Sequence, residues 1–315
     1  MADLLCDILT ADKQAEWDRL AEEANASLGL RWDYAAAAQA SGARVVRLGA
    51  LRGGSLAGAC SFIVHRRFGC TIWRHPTPLP FAGILMSGGT ESLCRDIWES
   101  VAPVVQEHCS AAEWLLPPGA DVRGALWLGS GWSARPHYNY VSRIEREGGL
   151  LAGAENQARR LAKKAEANAA LSFHTGAENL PAVLELWRST ATRHSLDAGG
   201  LLSRASALAG LPGSVVALVR NGDRPVVGGL FLKDSERVYY ALGGSDPRRE
   251  DEGAAEWFHG RVTDHFLAIR GPFIYDWVGA NTASVVQFKK KFRPGLEQGI
   301  RLTWRRRGFA WLRGF

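Results

Sequence analysis

Near the end of the chain, the run Phe288-Lys289-Lys290-Lys291-Phe292 sets lysines among aromatic neighbours. Val285, Phe288 and Phe292 form an apolar stripe at helical spacing, with Asn281 as the expected N-cap and Pro294-Gly295 as the stop. When such a stripe docks on a sheet, Lys289 lies at the edge of the buried face. An ammonium there can neutralise the oxyanion formed as an amine attacks an ester or thioester carbonyl. Lys290 and Lys291 are expected to turn toward solvent, where they meet only the charge of a bound phosphate. Lysines in a basic run are often simply solvated, so that reading of Lys289 stands beside the catalytic one. Asp276 shares a strand face with Ile274 and Val278. A carboxylate between apolar neighbours is either a base of raised pKa that accepts the proton of the attacking ammonium, or the structural partner of a lysine, arginine or backbone amide.

Other residues can meet an anion. On a helix expected from Glu155 to Asn168, Arg159 with Lys163 and Arg160 with Lys164 are like-charge pairs four residues apart. Each pair costs on the order of a few tenths of a kcal/mol unless an anion sits among them. They read either as a phosphate clamp or as a solvated face opposite Ala158, Leu161 and Ala165. Arg193 closes another helix and precedes Asp197-Ala198-Gly199-Gly200, a loop able to close on a ligand. Tyr239 and Tyr240 point to opposite faces of one strand, and Tyr240 is the one assigned to a substrate cleft.

The elements that must position these residues follow from apolar periodicity. The first half reads as helix 11–28, strands 43–51, 56–65 and 70–74, helix 91–109 and strand 113–116. The second repeats that order with helix 180–194, strands 215–220, 226–232 and 237–242, helix 251–269 and strand 273–278. Three landmarks share an offset of 170: Trp17 with Trp187, Val45-Val46 with Val215-Val216, and Gly58 with Gly228. An internal duplication follows. Between the halves lie a strand at 139–144 and the helix bearing Arg159, which puts the joint near Gly148-Gly149. The expected organisation is an α/β fold of two domains, 1–150 and 151–300, with a basic tail at 301–315 that is able to rejoin the first domain.

At 315 residues the chain exceeds what one core usually serves. No apolar run reaches the roughly 18 residues that cross a bilayer. Asp3, Asp7 and Asp12 stand where a secretory signal would carry positive charge, so the expectation is a cytoplasmic protein without an integral membrane segment. Five cysteines without C-x-x-C spacing exclude a disulfide framework or zinc site and read as small buried residues. The net charge of +6 is uneven: residues 281–315 hold nine basic residues and one acid, or +8, which leaves −2 for the remainder. A basic end on a slightly acidic body suits a defined anionic partner.

Tyr275-Asp276-Trp277-Val278-Gly279 followed by Phe288-Lys289-Lys290-Lys291-Phe292-Arg293 resembles the F-D-F-x-G and F-K-x-x-F-G ending of Fem-type transferases and their acetyltransferase-like relatives. Tyr140 to Ile144 followed by Arg159-Arg160-Leu161-Ala162-Lys163-Lys164-Ala165 resembles their strand and R-x-x-x-R-K-A helix. Thr190-Ala191-Thr192-Arg193 matches their T-x-x-R helix end in part. Trp277 departs from the family's second Phe, and the coiled-coil arm of some cell-wall members is missing. The resemblance implies two GNAT-like domains, the donor-side role for Lys289, and phosphate or carboxylate binding on the acceptor side for Arg193. It implies transfer of an aminoacyl group from aminoacyl-tRNA to the amine of a small or peptide acceptor, with tRNA as the donor carrier and no resident cofactor. Looser relatives take acyl-CoA. No Q/R-x-x-G-x-G/A turn for a CoA pyrophosphate occurs between a strand and the helix that follows it in either half, which weighs against that donor. A noncatalytic RNA- or membrane-binding module, built on Arg305-Arg306-Arg307-Gly308-Phe309-Ala310-Trp311-Leu312-Arg313, is the reading of another class.

Overall fold

Alternating apolar runs punctuated by glycine turns fold as antiparallel hairpins, and the long amphipathic stretches between them fold as helices that cover the sheets. The computed structural model describes residues 4–76, 78–79, 81–86, 88, 90–118, 131–194, 199–246, 248, 251–278 and 283–309. The chain divides into two compact units, Met1–Tyr138 with Gln298–Phe315, and Asn139–Glu297. The division falls at Tyr138, ahead of the expected joint at Gly148-Gly149, because the strand read at 139–144 already belongs to the sheet of the second unit.

The first unit contains β1 (Leu5–Ile8), α1 (Gln14–Glu23), α2 (Trp32–Ala40), β2 (Arg44–Arg52), β3 (Ser55–Arg67), β4 (Cys70–Arg74), β5 (Leu85–Met86), α3 (Glu91–His108) and β6 (Ala111–Leu116). Its sheet runs β1-β2-β3-β4-β6, and residues Ile300–Arg305 of the last strand pair antiparallel with β6. After β7 (Ser133–Ile144) and α4 (Gly149–Gly153) come α5 (Asn156–Glu166), β8 (Leu171–Thr175), α6 (Leu180–Arg193), α7 (Gly199–Ala209), β9 (Val215–Asn221), β10 (Arg224–Lys233), β11 (Arg237–Ser245), α8 (Ala254–Arg270), β12 (Phe273–Asp276), α9 (Ala283–Lys290) and β13 (Gly295–Arg305). The sheet of the second unit runs β8-β9-β10-β11-β12, with residues 141–144 of β7 antiparallel to β12. Each unit thus has the same strand order and the same single parallel pair, β4 with β6 and β11 with β12.

The two central hairpins match in detail. In β2–β3 the pair Ala50–Gly58 is followed by Leu51–Leu56, so one residue bulges. In β9–β10 Val219–Val227 is followed by Arg220–Pro225, the same irregularity. These positions lie 169 residues apart, as 220 against 51 and 225 against 56, not 170. One residue changes the face of a strand. A Cβ on Gly58 would meet Ile97 of α3 at 2.5 Å, whereas one on Gly228 would meet Val183 of α6 at 2.8 Å. The two glycines therefore face opposite sides of corresponding strands, and the expected match between them is corrected by one residue. Phe62 and Phe231, also 169 apart, do correspond, and each is buried in its own core beside Ile97 or Phe258.

Several elements went unread in the sequence: β1, α2, β8, α7 and β13. Alanines occupy most of α2, so its pattern lacks a polar face. The stretch expected as a flexible loop at Gly199-Gly200 instead opens α7. Within the second unit, α6 lies so close to β11 that a Cβ on Gly244 would come within 2.2 Å of the Leu186 carbonyl oxygen. Gly244→Ala should therefore cost about 2–3 kcal/mol in chemical denaturation. Gly222→Asn, at a turn with nothing near a Cβ, should change stability by less than about 0.5 kcal/mol. Equal, small effects would contradict the backbone contact of α6 with β11.

Candidate functional site

The parallel pair β11–β12 matches Arg237 with Ile274, Val238 with Tyr275 and Tyr239 with Asp276, and β12 then stops. Asp276 is completely buried at that end. Its Oδ1 accepts from Asn139 Nδ2 at 2.5 Å and from the Val278 amide at 2.8 Å, and its Oδ2 lies 3.3 Å from Arg237 Nη1. Arg237 also makes a two-pronged contact with Glu297, at 2.8 and 3.2 Å. Burial pushes the Asp276 carboxyl up to about 6 against these donors. These contacts are those of the structural alternative set out for Asp276, and they fix the end of β12.

Lys289 lies on α9, and only 5% of it is exposed. The expected solvated lysine is thereby excluded, and even the expected place at the edge of the face was too shallow. Its Nζ donates to the Trp277 carbonyl at 2.5 Å, a carbonyl freed from the ladder because β12 has ended. Burial pulls its pKa down to about 8, while the Asp276 charge acts the other way. Phe288 and Phe292 pack as the stripe requires. The proposed cap, Asn281, lies outside the described residues. Lys290 is exposed, as expected. Lys291 is not simply solvated: it pairs with the buried Glu256 at 2.9 Å and its ammonium lies over the Phe288 ring.

His259 of α8, with no motif to announce it, is the centre of the aromatic packing. Its Nδ1 shares a 2.8 Å hydrogen bond with the Tyr275 hydroxyl, and its ring contacts Tyr240, Trp277, Phe288 and Phe292. Burial, with the Lys289 ammonium adding to it, lowers its pKa to about 3, so the imidazole is neutral. Tyr240 is half-buried, stacked on Phe231 and set edge-on against His259, and burial raises its pKa. Tyr239 is fully buried on the other face and donates to Asp234 at 2.6 Å.

The remaining candidates lie apart from this cluster. Arg193 is exposed and donates to the Ser245 carbonyl at 3.1 Å. On α5, Arg159 bonds the Ala152 carbonyl at 3.1 Å and Asn156, and Lys164 pairs with Glu252 at 2.6 Å. These contacts relieve the like-charge spacing without an anion. Arg160 and Lys163 are exposed. The five cysteines carry no disulfide, four are buried, and burial holds the Cys6 and Cys109 thiols up at about 12.

Residues 152–290 match the family described as an acetyltransferase (GNAT) domain. Among solved structures, FemX aligns over 96% of this chain and 97% of its own, at 13% identity and a TM-score of 0.74. A tandem GNAT protein from the clavulanic acid biosynthesis pathway aligns over 96% and 98%, at 10% identity and a TM-score of 0.58. The chain has a tandem GNAT fold. L-PGS from Bacillus licheniformis is similar over 98% of this chain and 94% of its own, at 11% identity and a TM-score of 0.58. No curated protein matches the sequence.

In an ordinary CoA-using GNAT unit, the turn entering the helix equivalent to α8 holds pyrophosphate on backbone amides. Here a cavity of about 510 Å³ at that turn is lined by Asp246, Asp251, Glu252 and Glu256 and by one arginine, Arg248, which pairs with Asp246 at 3.1 Å. Every carboxylate already has a cation: Asp246 and Asp251 share Arg224, Glu252 has Lys164, and Glu256 has Lys291. An entering pyrophosphate would meet four carboxylates and cations that are already engaged.

Lys289 makes a prediction about stability. Its pKa in the folded state, about 8, lies below the ordinary lysine value of 10.5, so the folded chain binds that proton less tightly than the unfolded one. The cost, about 3 kcal/mol, is fully present below pH 8 and disappears as pH rises toward 10.5. Lys289→Met keeps the volume without the charge. Urea denaturation should show its advantage over the wild type shrinking steadily between pH 8 and 10.5. A difference independent of pH would place the ammonium in water.

Proposed function

We propose that the chain transfers an aminoacyl group from aminoacyl-tRNA to the amine of a peptide, nucleotide-linked or cell-wall-precursor acceptor, forming an amide. The observation that carries this reading is a buried ammonium, Lys289, at the end of the parallel strand pair in the unit that matches a GNAT domain. The carboxylate-lined turn at α8, which disfavours a CoA pyrophosphate, supports an ester donor of another kind. In the reaction the acceptor nitrogen attacks the ester carbonyl, the new C–N bond forms, and the C–O bond to the tRNA ribose breaks. The leaving hydroxyl takes up a proton and the attacking nitrogen loses one. Charge builds on the carbonyl oxygen in between. The Trp277 carbonyl accepts a hydrogen bond from the Lys289 ammonium. That contact fixes Lys289 so that its charge faces the oxyanion without reorganisation. Asp276 and Arg237 hold the strand end on which this depends. FemX, similar in fold along nearly its whole length, is in accord with the reading.

The acetyltransferase (GNAT) match over 152–290 favours a second reading, N-acylation from an acyl-CoA. Label supplied on a pool of charged tRNAs or on acyl-CoAs, with candidate amines and with or without ribonuclease, separates the two. Transfer from tRNA should be lost with ribonuclease and should weaken steeply with salt, as counterions are released from the phosphate backbone. Transfer that survives ribonuclease and needs CoA would replace the first reading by the second.

Lys289→Met should lower single-turnover transfer at saturating donor by about 10²-fold, mainly in kcat. The wild-type rate should fall as pH rises through about 8, where the ammonium loses its proton, and the variant should lack that limb. Retention of the limb by the variant would remove Lys289 from the reaction.

A further inference from the structure

One end of the first unit's sheet carries charge and an apolar tip that the transfer reaction does not use. Arg67 pairs with Cys70, so β3 and β4 are joined by the two-residue turn Phe68-Gly69, with φ of +49° and +74°. Such a turn favours Asn-Gly, because both residues must adopt positive φ. A phenylalanine at the first position is a costly choice for the fold alone. Phe68 is 77% exposed, and Arg67 is set over its ring.

Backbone contacts carry the same level of the sheet across to the chain's end. Arg66 pairs with Thr71, the Thr71 carbonyl accepts from the Ser110 amide, and the Ser110 carbonyl accepts from the Arg306 amide. Arg66, Arg67, Arg305, Arg306 and Arg307 are all exposed along this end. Arg306 binds the terminal carbonyls of α3 at Gln106 and Glu107, which fixes the end of β13 in place. Phe309 packs on Cys70, Ile72 and Ala111, next to the turn. From there the sequence continues Ala310-Trp311-Leu312-Arg313-Gly314-Phe315.

We propose that this end of the first unit docks on an anionic lipid surface, with Phe68 entering the headgroup boundary and the arginines meeting lipid phosphates. Guanidinium groups set behind a projecting aromatic ring suit a bilayer, which accepts an apolar tip and attracts each basic residue near it. A ring that already has a guanidinium over its face makes a poor platform for stacking bases, which favours lipid over RNA. The proposal does not depend on the transfer chemistry, since none of these residues belongs to the site at β11–β12.

The test is flotation of the full chain with vesicles of phosphatidylcholine alone and of phosphatidylcholine with about one third phosphatidylglycerol. Binding should require the anionic lipid and fall about fivefold for each of Arg66→Ala and Arg67→Ala. Phe68→Asn is the decisive variant, because it installs the residue the turn prefers. It should raise the melting temperature slightly while weakening vesicle binding about tenfold. Absence of binding to the mixed vesicles, or equal binding by Phe68→Asn, would overturn the proposal. So would a structured RNA that displaces the vesicles and binds Phe68→Asn as well as the wild type, since the surface would then belong to RNA.

Discussion

A charged amine held out of water constrains the second unit more than any other single group. Lys289 gains a carbonyl at 2.5 Å and the field of Asp276, yet burial still lowers its affinity for a proton. Such a group persists only where the surrounding backbone is fixed. The end of β12 supplies that fixity. Asp276 ties β12 to Asn139 of β7 and, through Arg237, to β11 and Glu297. Trp277, just past the strand, donates to Ser142 and turns its own carbonyl to the ammonium. Behind them His259 fills the space with a neutral ring instead of a second cation. The polar contacts and the aromatic core thus serve the same local geometry, and disturbing either moves the ammonium.

Much of this architecture is written in local pattern. Strands β2, β3, β4, β9, β10 and β11 and the helices α3, α6 and α8 are read from apolar spacing with ends shifted by a few residues. Elements whose signals are diluted are harder to see. β13 alternates Ile300, Leu302 and Trp304 with Arg301, Thr303 and Arg305, a period of two that its arginines disguise as a solvated tail. The repeat is legible as an order of elements, while its register is not, because glycine and valine recur too often to distinguish an offset of 169 from one of 170. Lys289 and Asp276 stand out by residue type against apolar neighbours. Their partners do not: Asn139, Arg237, Glu297 and His259 reach the site from distant segments, and only the strand register brings them together.

The two units also differ in what they keep. Glu113-Trp114 ends the parallel pair of the first unit as Asp276-Trp277 ends that of the second, with Arg74 and Tyr239 in the matching register positions. Glu113 is buried, with the partly exposed Arg301 at 3.7 Å. The acid at the strand end is therefore a feature of the duplicated fold and not by itself a sign of chemistry. Lysine separates the copies: the first unit has only Lys13, on the turn before α1, whereas the second has the other lysines of the chain. Arginine is not a substitute in such a place, since its larger, always-charged head cannot enter a space that accepts a compact ammonium of lowered pKa. The duplicated scaffold can hold a buried cation, and in the second copy a lysine stands on the helix that follows it.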